Sequence, residues 1–256
     1  MSEDMLVTIS SDDDGRVAII GLNRPRALNA LNGPLLDALD LALDRCAQSP
    51  DLRAVIIAGN SACFSAGADL KENLTDREGR IGRMHALAER LQSFPVISIA
   101  AIEGWALGGG LELAMACTFR VAAPGAMLGL PEVRLGVIPS YGGTQLAPRL
   151  IGEARALELL CLGEPIDAVR AEQIGLINWL AAEPGGALPL ALERAAILAE
   201  RAPQALSAVL EAVREGSRLT LAEGLDIERR TISRLMSGAD APNAALAFGS
   251  RQRGSG

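Results

Sequence analysis

Two glutamates, Glu112 and Glu132, and a run of three glycines, Gly108 to Gly110, are the residues of this 256-residue chain whose types and spacing could do chemistry. The glycines lie within Ile102-Glu103-Gly104-Trp105-Ala106-Leu107-Gly108-Gly109-Gly110-Leu111-Glu112-Leu113, and Leu111 to Ala116 has helix-forming composition. Bare backbone lets a ligand approach the main chain closely, and the first N–H groups of a helix lack internal partners and point outward as donors. With the positive end of the helix dipole added, such a site suits an oxygen that gains negative charge during a reaction. Glu112 falls in the first helical turn, beside that position. On spacing alone, the glycines serve equally well as a tight strand-to-helix turn, with Glu112 an ordinary dipole partner. Neither nucleotide motif fits, because the last glycine of G-x-G-x-x-G is missing and no Gly-Lys-Ser/Thr follows.

The elements that must position these groups follow from apolar patterning. Val96 to Ile102 predicts a buried strand that delivers the glycines, and Pro95 stops the amphipathic helix expected over Ile81 to Phe94. Upstream, Met5 to Ser10 and Arg16 to Gly21 predict a hairpin around Asp12-Asp13-Asp14-Gly15. A helix from Pro34 shows Leu35, Leu36, Leu39, Ala42, Leu43 and Cys46 at helical spacing, and Ala54 to Ala58 predicts a buried strand. Small residues from Ala62 to Ala68 then lead into a polar, mobile segment around Lys71 to Glu78. Further strands are expected over Phe119 to Ala122 and Ala126 to Leu130, before the loop that carries Glu132 and a second glycine-rich helix start at Tyr141-Gly142-Gly143-Thr144. Strands alternating with helices predict α/β layering, with functional loops at one sheet edge.

Beyond Ala154 strand signal is confined to Gly175 to Leu180. Helices are expected over Ala154 to Leu162, Asp167 to Ile174, Leu188 to Ala202, Ala205 to Gly216 and Leu221 to Leu235. The organisation expected is a core over residues 1–195, a helical segment for subunit contacts over 196–250 and a tail over 251–256.

Hydrophobic residues make up 49% of the chain, yet no apolar run approaches the roughly 20 residues of a membrane span. The start, Met1-Ser2-Glu3-Asp4-Met5, lacks the basic and apolar stretches of a signal peptide, so a cytoplasmic protein is expected. A net charge of −7 without a basic stripe argues against nucleic acid as a partner. Cys46, Cys63, Cys117 and Cys161 match no zinc spacing and predict buried, reduced thiols. His85, the single histidine, has no second histidine with which to share a metal and is expected to be structural or pocket-lining.

Four stretches together resemble the enoyl-CoA hydratase/isomerase family, the crotonase superfamily. They are Leu22-Asn23-Arg24-Pro25 with Ala27-Leu28-Asn29-Ala30-Leu31; Phe64-Ser65-Ala66-Gly67-Ala68-Asp69-Leu70; Gly104 to Leu113; and Pro131-Glu132-Val133 with Leu135-Gly136 and Gly142-Gly143-Thr144-Gln145. The resemblance implies an α/β spiral of β-β-α turns with a C-terminal helical trimerisation layer, assembled as a homotrimer or as a hexamer of paired trimers. It implies an acyl-CoA substrate, no metal and no further cofactor. The N–H groups of Ala66 and Gly109 would hold the thioester oxygen. Glu112 would activate water and Glu132 would exchange the proton at Cα; outside that family context, Glu132 reads as a loop carboxylate paired with Arg134. Retention of both acids favours water addition over double-bond isomerisation or another acyl-CoA lyase reaction. An acyl-CoA-binding or RNA-binding relative without catalysis is the rival from another class.

For the CoA arm, the resemblance points to Arg26, which is otherwise a solvated loop cation, and to the backbone around Ala66, Ala68, Asp69 and Leu70. Phe248 would come from a neighbouring subunit. The chain departs from the family's F-x-E-K-R ending, reading Phe248-Gly249-Ser250-Arg251, with Arg251 as the substitute for the lysine. Tyr141 stands where many hydratases carry a small residue, and it either narrows the pocket or packs.

Overall fold

The computed structural model of the protein describes residues 5–12, 14–72 and 75–237. The chain starts with an antiparallel hairpin, β1 (Val7–Ser11) and β2 (Val17–Leu22). Its turn is held by Asp12, whose carboxylate accepts from Val17 N–H at 2.9 Å, and by Gly15 at φ +68°. Helix α1 (Gly33–Ala47) is capped by Asn32, which accepts from Leu35 N–H, and it buries the same six apolar residues that its spacing marks.

Three turns of one pattern follow. In the first, β3 (Ala54–Ala58) leads to β4 (Cys63–Ser65) and α2 (Arg77–Gln92). In the second, β5 (Ile97–Ile102) leads to β6 (Trp105–Leu107) and α3 (Gly109–Ala116). In the third, β7 (Phe119–Ala122) leads to β8 (Met127–Gly129), a 3₁₀ turn over Pro131–Leu135 and α4 (Gly143–Leu162). The first strand of each turn joins one sheet in parallel and the second joins another. With β9 (Ile166–Asp167), α5 (Ala168–Gln173) and β10 (Trp179–Leu180) added, the sheet orders are β1-β2-β3-β5-β7-β10 and β4-β6-β8-β9. This is the expected α/β spiral of β-β-α turns. Strands β3 and β5 are buried along their whole length, as continuous apolar runs in a covered parallel sheet should be.

Local differences from the expected boundaries have physical causes. Helix α2 begins at Arg77, not Ile81, because Asp76 caps it by accepting from Gly79 N–H at 2.8 Å. Helix α4 is two helices in sequence, broken at Gly152 (φ +75°, ψ 160°), so the helix expected from Ala154 is only its second half. The strand expected from Gly175 contracts to β10.

Contacts divide the chain after Ala199 into two compact units. In the first, helix α6 (Ala187–Ala199) turns Ala187, Ala191, Ala195 and Ala199 inward against β3, β5 and β7. Small side chains at i, i+4 bring the helix axis close to the sheet. Glu103 holds its start, accepting from Gly185 N–H at 3.2 Å and Ala187 N–H at 2.8 Å. In the second unit, α7 (Pro203–Gly216) and α8 (Leu221–Ser237) pair closely at Gly216 and Gly224. Val209, Val213, Leu221, Leu225, Ile232 and Met236 on these helices are exposed. No helix among the described residues is long and apolar enough to cross a membrane.

A buried cation stitches β7 to the segment before β10. The Arg120 guanidinium donates to Leu176 O at 2.7 Å, Cys117 O at 2.8 Å and Asn178 Oδ1 at 3.2 Å, and no carboxylate among the described residues pairs with it. Burial lowers its pKa to about 10. Arg120→Met would leave two buried carbonyls without donors and is expected to lower the unfolding free energy by about 3 kcal/mol. Urea denaturation checks this; a loss below about 1 kcal/mol would show the carbonyls finding other partners.

Candidate active site

The loop after β4 is fastened to the Leu28–Leu31 segment like an extra strand. Leu31 N–H donates to Gly67 O at 2.7 Å, Asp69 N–H donates to Leu31 O at 3.0 Å, and Ala66 N–H donates to Leu28 O at 2.9 Å. Leu28 and Asn29 take positive φ (50° and 52°) to make this possible, and buried Asn29 donates from its side-chain amide to Cys63 O and Phe64 O. In an extended segment, successive N–H groups point to opposite sides. With Gly67 and Asp69 turned towards Leu31, the Ala68 N–H points away from it.

Away from it lies the start of α3. A Cβ added to Gly109 would come within 3.5 Å of Ala68 N, and one added to Gly67 would sit 3.1 Å from Gly109 N. These two amides, from chain segments about forty residues apart in sequence, share one small space. This corrects the sequence reading: Ala66 N–H is committed to Leu28 O, and Ala68 takes its place opposite Gly109. Helix α3 also begins inside the glycine run, with Gly108 as its cap at φ +48° and ψ −126°, a conformation open in practice only to glycine. The Gly109 N–H is thus a first-turn donor of the helix.

Both glutamates border this space. Glu112 is buried on α3, and its Oε1 accepts from Tyr141 N–H at 2.8 Å and Gly143 N–H at 2.7 Å, which fixes the carboxyl and leaves Oε2 available. Burial raises its pKa to about 7; the Gly143 and Tyr141 amides oppose that rise and the nearby Glu132 charge adds to it. Glu132 lies on the 3₁₀ turn with Oε1 over the Cα of Gly108, where a Cβ would approach to 2.6 Å. Its Oε2 is buried without a hydrogen-bond partner, and burial raises this pKa as well. No ion pair with Arg134 forms among the described residues. Two desolvated carboxyls without a cation, one held by amides and one aimed at nothing in the protein, can hold and move protons for a bound molecule.

The remaining sequence-marked residues divide around this centre. Tyr141 is buried against Gly109, where an added Cβ would meet its ring at 2.7 Å. Asp69 is bound by Arg24 at 3.0 Å; burial opposes its ionisation, but the Lys71 N–H and Arg24 outweigh it and hold the pKa low. Leu70 is 81% exposed and Arg26 is exposed at the end of a 3₁₀ turn, so both face outward rather than into the carboxyl pair. Phe248 and Arg251 lie outside the described residues. His85 is exposed and contacts Ser140 O at 2.9 Å through Nε2, which must carry the proton because a carbonyl only accepts. Cys161 is exposed, unlike Cys46, Cys63 and Cys117, because it lies on the outer side of α4. Sequence reading missed Arg80, buried on α2, which donates to Leu31 O at 3.2 Å and pairs with Glu72. Its signal was a charged residue one turn before Met84 and two before Leu87, on the side that helix buries.

The profile of the family described as enoyl-CoA hydratase/isomerase matches residues 12–253. A Bacillus subtilis protein named probable enoyl-CoA hydratase is 41% identical, over 94% of this chain and 95% of its own. A Mycosarcoma maydis protein named enoyl-CoA isomerase/hydratase is 39% identical, over 91% and 89%. Among solved structures, an enoyl-CoA hydratase from Bacillus anthracis superposes with a TM-score of 0.91 at 35% identity, covering 96% of each chain.

The raised pKa of Glu112 makes it a measurable burden on stability. Its ionisation is disfavoured in the folded state, so stability is greatest below the unfolded value near 4.5 and declines as pH rises to about 7, by about 3 kcal/mol in all. Glu112→Gln keeps an acceptor for both amides and removes the titration. The variant is expected to gain on the wild type by about that amount between pH 4.5 and pH 8, as read from paired denaturation curves; a constant difference would contradict the assignment.

Proposed function

Since the chain belongs to the enoyl-CoA hydratase/isomerase family, we propose that it adds water reversibly across the 2,3 double bond of a trans-2-enoyl-CoA, giving a 3-hydroxyacyl-CoA. The observation that carries this reading is the pair of desolvated carboxyls, Glu112 and Glu132, beside the convergent amides of Ala68 and Gly109. In this reading the two amides take the thioester oxygen. As water attacks the β-carbon, the electron pair of the double bond moves through Cα to that oxygen, and the enolate charge develops where the donors already point. One such donor is worth roughly 3 kcal/mol of barrier.

Glu112, as carboxylate, takes a proton from the attacking water; Glu132, as carboxylic acid, gives its proton to Cα. Like charge and burial favour one proton on the pair, which supplies an acid and a base together. Amides do the polarising in this scheme, so it calls for no metal or further cofactor. Arg26 at the surface suits the phosphates of CoA. The exposed apolar residues of α7 and α8 suit burial between copies, and we assign the chain to a cytoplasmic homotrimer or a hexamer of paired trimers. A double-bond isomerase on the same scaffold would need the same amide pair but no attacking water.

Crotonyl-CoA distinguishes the two: hydration removes the absorbance of the conjugated thioester, whereas isomerisation of a 3-enoyl-CoA creates it. Glu112→Gln is expected to lower kcat by roughly 10² to 10⁴ with little change in KM. A variant as fast as the wild type would remove Glu112 from the chemistry. Gly67→Ala would set a methyl against Gly109 N and is expected to slow kcat by roughly 10² to 10³, with no such slowing if the amide pair is not the oxygen's site. Sedimentation equilibrium should give a mass of three or six chains; a monomer would refute the assembly.

A further inference from the structure

The side chain of Tyr141 joins three segments that the chemistry itself does not require to meet. Its ring lies against the Cα of Gly109, with Cδ2 and Cε2 at 2.7 and 3.0 Å from where a Cβ would stand. Its own N–H holds Glu112 Oε1, so the ring begins one side-chain length from the carboxyl that works at the β-carbon. Burial raises the Tyr141 pKa, and the Arg80 guanidinium of α2 lies near enough to the hydroxyl for its charge to act against that rise. Arg80 is in turn buried, bonded to Leu31 O and paired with Glu72, whose Oε1 also accepts from Gly33 N–H at 2.9 Å. The preceding residue, Ser140, is gripped by His85 from the same helix. The ring is therefore fixed at its backbone and on its face, and a partly buried ion pair stands near its hydroxyl.

Resting on the proposed acyl-CoA chemistry, we propose that Tyr141, backed by Arg80 and Glu72, ends the acyl pocket just beyond the β-carbon and restricts the protein to short acyl thioesters of about four carbons. A longer chain would have to displace a packed ring and then bury methylenes against an ion pair, and both steps are unfavourable. In a pocket that stayed open and apolar, each further methylene would instead strengthen binding. The order of affinities along a chain-length series thus has opposite signs in the two cases.

Binding of the unreactive saturated thioesters butyryl-CoA, hexanoyl-CoA and octanoyl-CoA, measured by titration calorimetry, provides the test without turnover. Wild type is expected to bind butyryl-CoA at least about tenfold tighter than octanoyl-CoA. Tyr141→Phe keeps the ring and is expected to keep that order; Tyr141→Ala removes it and is expected to bring the two affinities together or reverse them. A wild type that prefers octanoyl-CoA, or that binds none of the three, overturns the proposal, as does a folded Tyr141→Ala that keeps the wild-type ratio. If Tyr141→Ala does not fold, the wild-type order and Tyr141→Phe still decide. Turnover of crotonyl-CoA reports separately on the reaction: hydration without chain-length discrimination removes only the pocket limit, and discrimination without hydration removes only the reaction.

Discussion

The site depends on two stretches of main chain coming closer than side chains would permit. At Gly67, Gly109 and Gly110, an added Cβ would strike Leu107 O, the Tyr141 ring and Ser65 O respectively. Those close approaches bring the Ala68 and Gly109 amides together. The glycine run is therefore a matter of clearance first and of helix geometry second. The spiral supplies the rest: parallel pairing of β4 with β6 and of β6 with β8 stacks the ends of successive turns, so that loops from all three turns open at one place.

Charge is distributed around this centre by contrast. Asp69 has Arg24, and Glu72 has Arg80; Asp40 and Asp44 share Arg90. Glu112 and Glu132 alone among these are desolvated with no cation, and burial raises the pKa of both. A cation at this position would lower both pKa values and remove the division into acid and base that the proposed reaction needs. The protein instead offers Glu112 two main-chain dipoles, enough to orient the carboxyl without neutralising it.

The parts of the fold legible in the sequence are those whose cause is local. Ala54–Ala58 and Phe119–Ala122 were readable as strands to the residue, and α1 showed its buried face by spacing alone. The glutamates were legible as a pair only through family resemblance, since twenty residues and two strands separate them. What was not legible depends on distant pairing. Whether Ala66 or Ala68 presents its N–H to Gly109 is decided by register against Leu31, and nothing within Phe64 to Leu70 reveals it. Arg80 shows by its spacing which side of the helix is buried, but nothing local reveals Leu31 O and Glu72, the partners that satisfy it there.

Position 141 combines two separable duties in one residue. Its amide steadies the Glu112 carboxyl, and every residue except proline carries that amide; its ring occupies space, and nearly any exchange alters that. A lineage could therefore drift in diet, taking up new substrates through single changes at this site, while the inherited chemistry carried on beneath.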